Sequence, residues 1–107
     1  MEPKRGKVVV TGIGAITPLG RTADAFWKNL VAGKSGIGPM TLCDPTPYPC
    51  RIAGEVRDFD PVQYINPKEA RRMARFSQLA VAAALTAVES ARLDMSREDP
   101  FRVGIIL

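Results

Sequence analysis

The sequence contains no histidine in its 107 residues. That excludes from these residues every mechanism needing an imidazole base, every His-ligated metal site and every imidazole pH switch. Cysteine is nearly as scarce. Cys43 and Cys50 are the only two, and their C-x6-C spacing fits neither a C-x2-C metal pair nor a redox motif. Two cysteines make no disulfide scaffold, so a reducing cytoplasmic setting is expected. Long apolar runs are missing as well. No uncharged stretch exceeds the 13 residues of Phe76 to Val88, against the roughly 20 that a membrane-spanning helix needs. Val8-Val9-Val10 is far too short for the core of a secretion signal, so no membrane insertion is expected. Internal repeats and low-complexity tracts are absent. Charge bias is mild: Lys+Arg 15 against Asp+Glu 11 leaves +4, too little to require nucleic acid. What is present, 46% hydrophobic and 24% charged residues, is an ordinary globular composition within the length of one domain.

Along the chain, Lys7-Val8-Val9-Val10-Thr11-Gly12 is a β-branched run closed by glycine and reads as a strand buried on both faces. Gly12 to Gly20 follows as a flexible turn. Thr22 or Asp24 then caps a helix through about Val31, with Phe26, Trp27, Leu30 and Val31 at helical spacing, and Gly33 stops it. Ser35 to Pro49 is a long irregular connection rich in glycine and proline, yet apolar enough at Ile37, Met40, Leu42 and Tyr48 to pack. Arg51 to Val56 alternates weakly as a short strand, and a helical turn begins after Asp60-Pro61, between Phe59 and Tyr64. Asn66 as cap and Pro67 at the first helical position open a helix running, unbroken or kinked, from Lys68 to Leu93. From Phe76 on it carries six alanines and an apolar stripe at 76, 79, 80, 83, 84, 87, 88 and 91, suited to close packing against a sheet. Arg102 to Leu107 reads as a second buried strand.

This order is an α/β pattern, and a right-handed crossover predicts parallel strands. Two strands do not make a sheet that hides both faces, and three or more are normally needed for independent stability. The sequence is therefore expected to be an incomplete domain whose remainder lies downstream of Leu107.

Several motifs invite a chemical reading. Gly12-x-Gly14 after a strand suggests a dinucleotide loop. The pattern lacks a third glycine, Pro18 interrupts the helix start, and no acidic residue closes a second strand about 20 positions on. A tightly packed strand-exit loop is the better reading. With no histidine to deprotonate them, Cys43, Cys50, Thr17 and Ser35 are not expected to be nucleophiles. Asp58 and Asp60 flank Phe59 as a solvated turn rather than an acid–base pair. Nothing points to a metal or organic cofactor. Lys68, Arg71, Arg72 and Arg75 share one helix face at 3.6 residues per turn. Cations at the N-terminal end of a helix oppose its dipole, so helix stability does not explain them. A solvated face and a docking surface for an acidic or phosphate-bearing partner are both open.

Taken together, Val8 to Gly14, Thr17-Pro18-Leu19-Gly20, Phe26-Trp27 to Leu30, Ala32 to Ile37, Ala53-Gly54 with Phe59, Lys68 to Met73, and Arg102-Val103-Gly104 resemble the N-terminus of an elongating β-ketoacyl-[acyl-carrier-protein] synthase. The resemblance implies a thiolase-like α/β fold of layered helices and sheets. Residues 1–107 would be its first β-α-(loop)-α-β portion, an incomplete piece of the N-terminal half. It implies a homodimeric parent that condenses acyl and malonyl thioesters in fatty-acid synthesis through a cysteine nucleophile, two histidines and a lysine, all downstream of the matching stretch. It also implies that Lys68, Arg71 and Arg72, with Arg75 beside them, meet the acidic acyl carrier protein and its phosphopantetheine arm. Two other readings share these residues: a non-catalytic synthase-like partner subunit of a polyketide system, and a freestanding basic interaction domain.

Overall fold

A computed structural model describes residues 6–106. Helix α1 spans Ala23–Val31, with the Thr22 hydroxyl accepting from the Ala25 amide at 3.1 Å. Its C-terminus closes by a pair of bonds, Gly33 N–H to Leu30 O and Lys34 N–H to Asn29 O, around Gly33 at φ +70°. That is the left-handed residue glycine supplies at a helix end. Both limits agree with the sequence reading, and of the two candidate caps Thr22 is the one that bonds.

The long connection after α1 is more ordered than expected. Ile37–Pro39 forms strand β1 and pairs antiparallel with β2, Ile52–Gly54, in the register Ile37 to Gly54 and Pro39 to Ile52. β2 lies within the expected Arg51–Val56 strand, whereas β1 was hidden in a Gly/Pro-rich stretch. The loop between the strands is tied down by Glu55. One oxygen of its carboxylate accepts from the Thr41 and Leu42 amides at 2.8 and 2.9 Å, and the other accepts from the Thr41 hydroxyl at 2.8 Å. Arg57 completes the clamp, donating to Glu55 at 3.1 Å and to the Pro39 carbonyl at 2.9 Å.

A 3₁₀ turn at Pro61–Gln63, capped by Asp60, then packs on the helices that follow. α2, Pro67–Ala70, is one turn long and starts at the Asn66 cap as expected. α3, Arg75–Ser90, is the longest element, and Ala82 on it is fully buried. Phe59, Ile65 and Ala70 complete the small core, with Phe59 stacked on Tyr64 at 5.9 Å between ring centroids.

Two expectations about strands are corrected. Lys7–Gly12 and Arg102–Ile106 form no strand; instead a 3₁₀ turn occupies Pro100–Arg102, and Leu107 lies outside the described residues. Val8, Val9, Val10, Ile105 and Ile106 are exposed. The cause is physical: a strand exists by its ladder, and no other segment of the described residues lies alongside either run to supply one. The parallel pairing expected of these two runs therefore does not form among the described residues, and the sheet that does form is the separate antiparallel pair β1 and β2.

The chain is elongated, 62 × 37 × 24 Å with a radius of gyration of 17.8 Å, against about 13 Å for a compact chain of this size. Gly12 and Gly14 run directly across α3. A Cβ at Gly12 would sit 2.6 Å from the Ala91 nitrogen, and one at Gly14 would sit 2.8 Å from the Ala87 nitrogen. Both are distances real side chains do not reach. Glycines at 12 and 14 and alanines at 83, 87 and 91 are thus two halves of one close backbone contact, which accounts for the alanine-rich stripe.

Candidate functional site

Of the unbroken and the kinked helix that the sequence leaves open, the cationic segment adopts the kinked one, so its four cations do not form one continuous ridge. α2 tightens at its end through Arg72 N–H to Glu69 O at 2.9 Å and Met73 N–H to Ala70 O at 3.2 Å. These i to i−3 bonds wind down the last turn of a helix. Ala74 is extended, at φ −64° and ψ 152°, and α3 begins at Arg75 with no side-chain cap. The Gln78 side chain reaches back across the break and donates to the Ala70 carbonyl at 2.8 Å. The helical period runs on through this region in sequence, so periodicity alone carried no sign of the break.

The break divides the four cations. Lys68, Arg71 and Arg72 are exposed, and among the described residues their side chains make no hydrogen bond and no ion pair. Arg75, in contrast, is engaged. Its Nη2 donates to the Val56 carbonyl, and its guanidinium lies 5.6 Å from the centroid of the Phe59 ring, within the range of a cation–π contact. One helical turn and a bend therefore present three unpaired positive charges, with the fourth turned to the fold. Phe76, 75% exposed, adds an apolar surface directly after them.

The remaining candidates have local roles. The Gly12-x-Gly14 segment packs on helix backbone, which leaves no cradle for a pyrophosphate. The Thr17 hydroxyl donates to the Gly20 carbonyl at 3.0 Å, and the Ser35 hydroxyl accepts from the Ile37 amide at 3.2 Å. Asp60 caps the 3₁₀ turn by accepting from the Val62 amide at 3.1 Å, while the Asp58 carbonyl takes a bond from Arg21. Cys43 and Cys50 are exposed free thiols. Among the described residues no group of three or more Cys, Asp or Glu gathers as a metal site, and no helix is long and apolar enough to cross a membrane.

Glu55 was not singled out by sequence, because its partners lie 13 and 14 residues away. Bonds from the Leu42 and then the Thr41 amide hold its carboxyl down to about 2 from an ordinary 4.5. Hydrogen bonds to an ionised carboxylate produce this direction of shift. Its chemistry is structural, fixing the loop that follows β1.

Residues 5–107 match the family described as "Beta-ketoacyl synthase, N-terminal domain". The chain is 44% identical over all 107 residues to 3-oxoacyl-[acyl-carrier-protein] synthase 2 of Synechocystis sp., covering 25% of that protein. It is 41% identical over 99 residues to the protein of the same name from Staphylococcus aureus (strain COL), covering 92% of this chain and 24% of that one. Among solved structures it is similar to the ishigamide ketosynthase/chain length factor, with a TM-score of 0.74 and 38% identity over 82% of this chain and 22% of the other. A type II PKS acyl-carrier protein in complex with its ketosynthase matches with a TM-score of 0.71 and 30% identity, over 92% of this chain and 24% of the other. The chain thus spans about a quarter of the length of the relatives it matches.

Proposed function

The chain belongs to the β-ketoacyl synthase family, with a part of the thiolase-like α/β fold of ketosynthases, and we propose that it forms the opening portion of a 3-oxoacyl-[acyl-carrier-protein] synthase. The parent enzyme would join an acyl group to a malonyl thioester with loss of carbon dioxide. The acyl chain would be carried on a cysteine as a thioester, and histidines would stabilise the enolate left when the malonyl group loses carbon dioxide. Attack of that enolate on the thioester carbonyl would release the cysteine thiolate. With no histidine in 107 residues, the segment's share of that work is scaffold and recognition. The parent is a homodimer, and the segment rests against the remainder of the same chain.

Recognition falls to Lys68, Arg71 and Arg72. The observation that carries this reading is that all three are exposed and unpaired among the described residues. An acidic carrier protein bearing a phosphopantetheine arm is complementary to such a cluster, and rim charges of this kind steer association and set its salt dependence. The charge reversals Arg71→Glu and Arg72→Glu in the complete enzyme test the assignment. KM for carrier-protein thioesters is expected to rise while activity on small thioesters stays intact. Equal losses on both substrate types would contradict it.

One observation favours a second reading. A chain length factor forms part of the ishigamide complex to which this chain is similar, which fits a non-catalytic polyketide partner subunit. A full-length protein that is inactive alone but needed by a ketosynthase would assign it there.

A further inference from the structure

Arg75 belongs to the cationic cluster by sequence, yet its guanidinium is held by the Val56 carbonyl and by the face of Phe59. We propose that Arg75 is a positioning residue for carrier-protein docking: it fixes the bend between α2 and α3, and so the direction in which Arg71 and Arg72 point, without itself touching the carrier. The inference rests on the docking role given above to Lys68, Arg71 and Arg72.

Three features carry it. First, α3 opens without a side-chain cap, at an extended Ala74, so nothing in the helix itself determines where its first turn lies relative to α2. Second, two side chains just beyond the bend tie the start of α3 to the rest of the fold, one of them reaching back to α2 and the other to the segment before the 3₁₀ turn. Gln78 donates to the Ala70 carbonyl at 2.8 Å, and Arg75 reaches the Val56–Phe59 segment. Third, Phe59 is only 7% exposed, stacks on Tyr64 and stands before the 3₁₀ turn that packs on both helices. It is therefore a fixed point, and Arg75 ties the start of α3 to it. The planar guanidinium suits the task because it can lie over a ring and still donate in its own plane. A lysine ammonium, though equally charged, has no planar fork with which to do both.

The charge-conserving Arg75→Lys separates position from charge. It is compared with Arg75→Gln and with Phe59→Leu, a change at a buried uncharged residue, all in the full-length enzyme. KM is measured with acyl carrier protein thioesters and with the corresponding small pantetheine thioesters, across a range of salt. The expected result is that Arg75→Lys and Arg75→Gln raise KM for carrier substrates alike, about three- to tenfold. The kcat/KM for small thioesters and the slope of KM against salt stay as in the parent. Phe59→Leu should move KM in the same direction and add little to Arg75→Gln, as coupled residues do. Hydrogen exchange of the amides at residues 71–74 should quicken in all three variants, a readout that does not depend on docking.

If Arg75→Lys behaves as the parent while Arg75→Gln raises KM and flattens the salt slope, Arg75 is itself a docking cation and the proposal is overturned. Unchanged exchange at residues 71–74 overturns it as well. Should exchange quicken while Arg71→Glu leaves carrier KM unmoved, the bend is held as described but the docking role falls.

Discussion

The two ends of α3 make opposite use of the same helix. At Ala83, Ala87 and Ala91 the backbone is met so closely by Gly12 and Gly14 that a single added carbon has nowhere to go. At its other end the helix begins at an uncapped Arg75, next to three cations with no partner among the described residues. Close packing of small residues specifies one arrangement and leaves nothing for a ligand. Unpaired charge on an exposed bend adds nothing to the fold and is free for a partner. The helix is thus packed against glycine backbone along its second half, while the turn and bend that lead into its first residue carry charges that the fold does not use.

The sharpest way to break this contrast is at the packed end. Gly14→Val should destabilise the full-length protein by about 3 kcal/mol or more, because helix backbone rather than a movable side chain blocks the added atoms. Denaturant unfolding measures it, and activity lost there should be lost equally on carrier and small thioesters. Next in size, reversing both Arg71 and Arg72 should weaken the productive complex about tenfold, roughly 1.4 kcal/mol. Steady-state KM reports it, with the unfolding midpoint unmoved. A smaller effect is expected at Arg92, where α3 ends by the same pair of bonds that closes α1, Arg92 N–H to Glu89 O and Leu93 N–H to Val88 O. The left-handed position is Gly33 in α1 but Arg92, at φ 52°, in α3. Arg92→Gly should therefore stabilise by about 0.5–1 kcal/mol, the relief of a strained φ less the entropy glycine loses. Thermal melting would show it.

The last effect is confined to acid. Glu55 is ionised against two amides, with its pKa held down to about 2 from 4.5. The stability it contributes is complete above the ordinary value and is lost as pH falls from there through about 2. Glu55→Gln should flatten that acid limb of the melting profile, and a limb unchanged by the substitution would remove Glu55 from the clamp.

Local chemistry was readable and tertiary partnership was not. Thr22, Gly33, Asn66 and Pro67 mark helix limits through bonds to residues a few positions away, and each was evident from residue type. β1 escaped notice because Ile37-Gly38-Pro39 acquires its strand only from Ile52–Gly54. Val8-Val9-Val10 failed in the opposite sense, having strand composition without a neighbour to pair with. The cationic residues were legible as a cluster, but the division between Arg75 and the other three depends on Phe59 and Val56, far off in sequence. What the alanine stripe packs against was also hidden, although glycines at 12 and 14 and alanines four apart carry that pairing once it is seen.

The claim that matters most is that Lys68, Arg71 and Arg72 are kept unpaired for an acidic carrier protein. Titrating the full-length protein with acyl carrier protein in a calorimeter at low and at moderate salt, for the parent and for the Arg71→Glu, Arg72→Glu double variant, tests it directly. The expected result is a Kd about tenfold weaker in the variant at low salt, with the gap narrowing as salt rises because screened charges steer less. An unchanged Kd at both salt concentrations would contradict it.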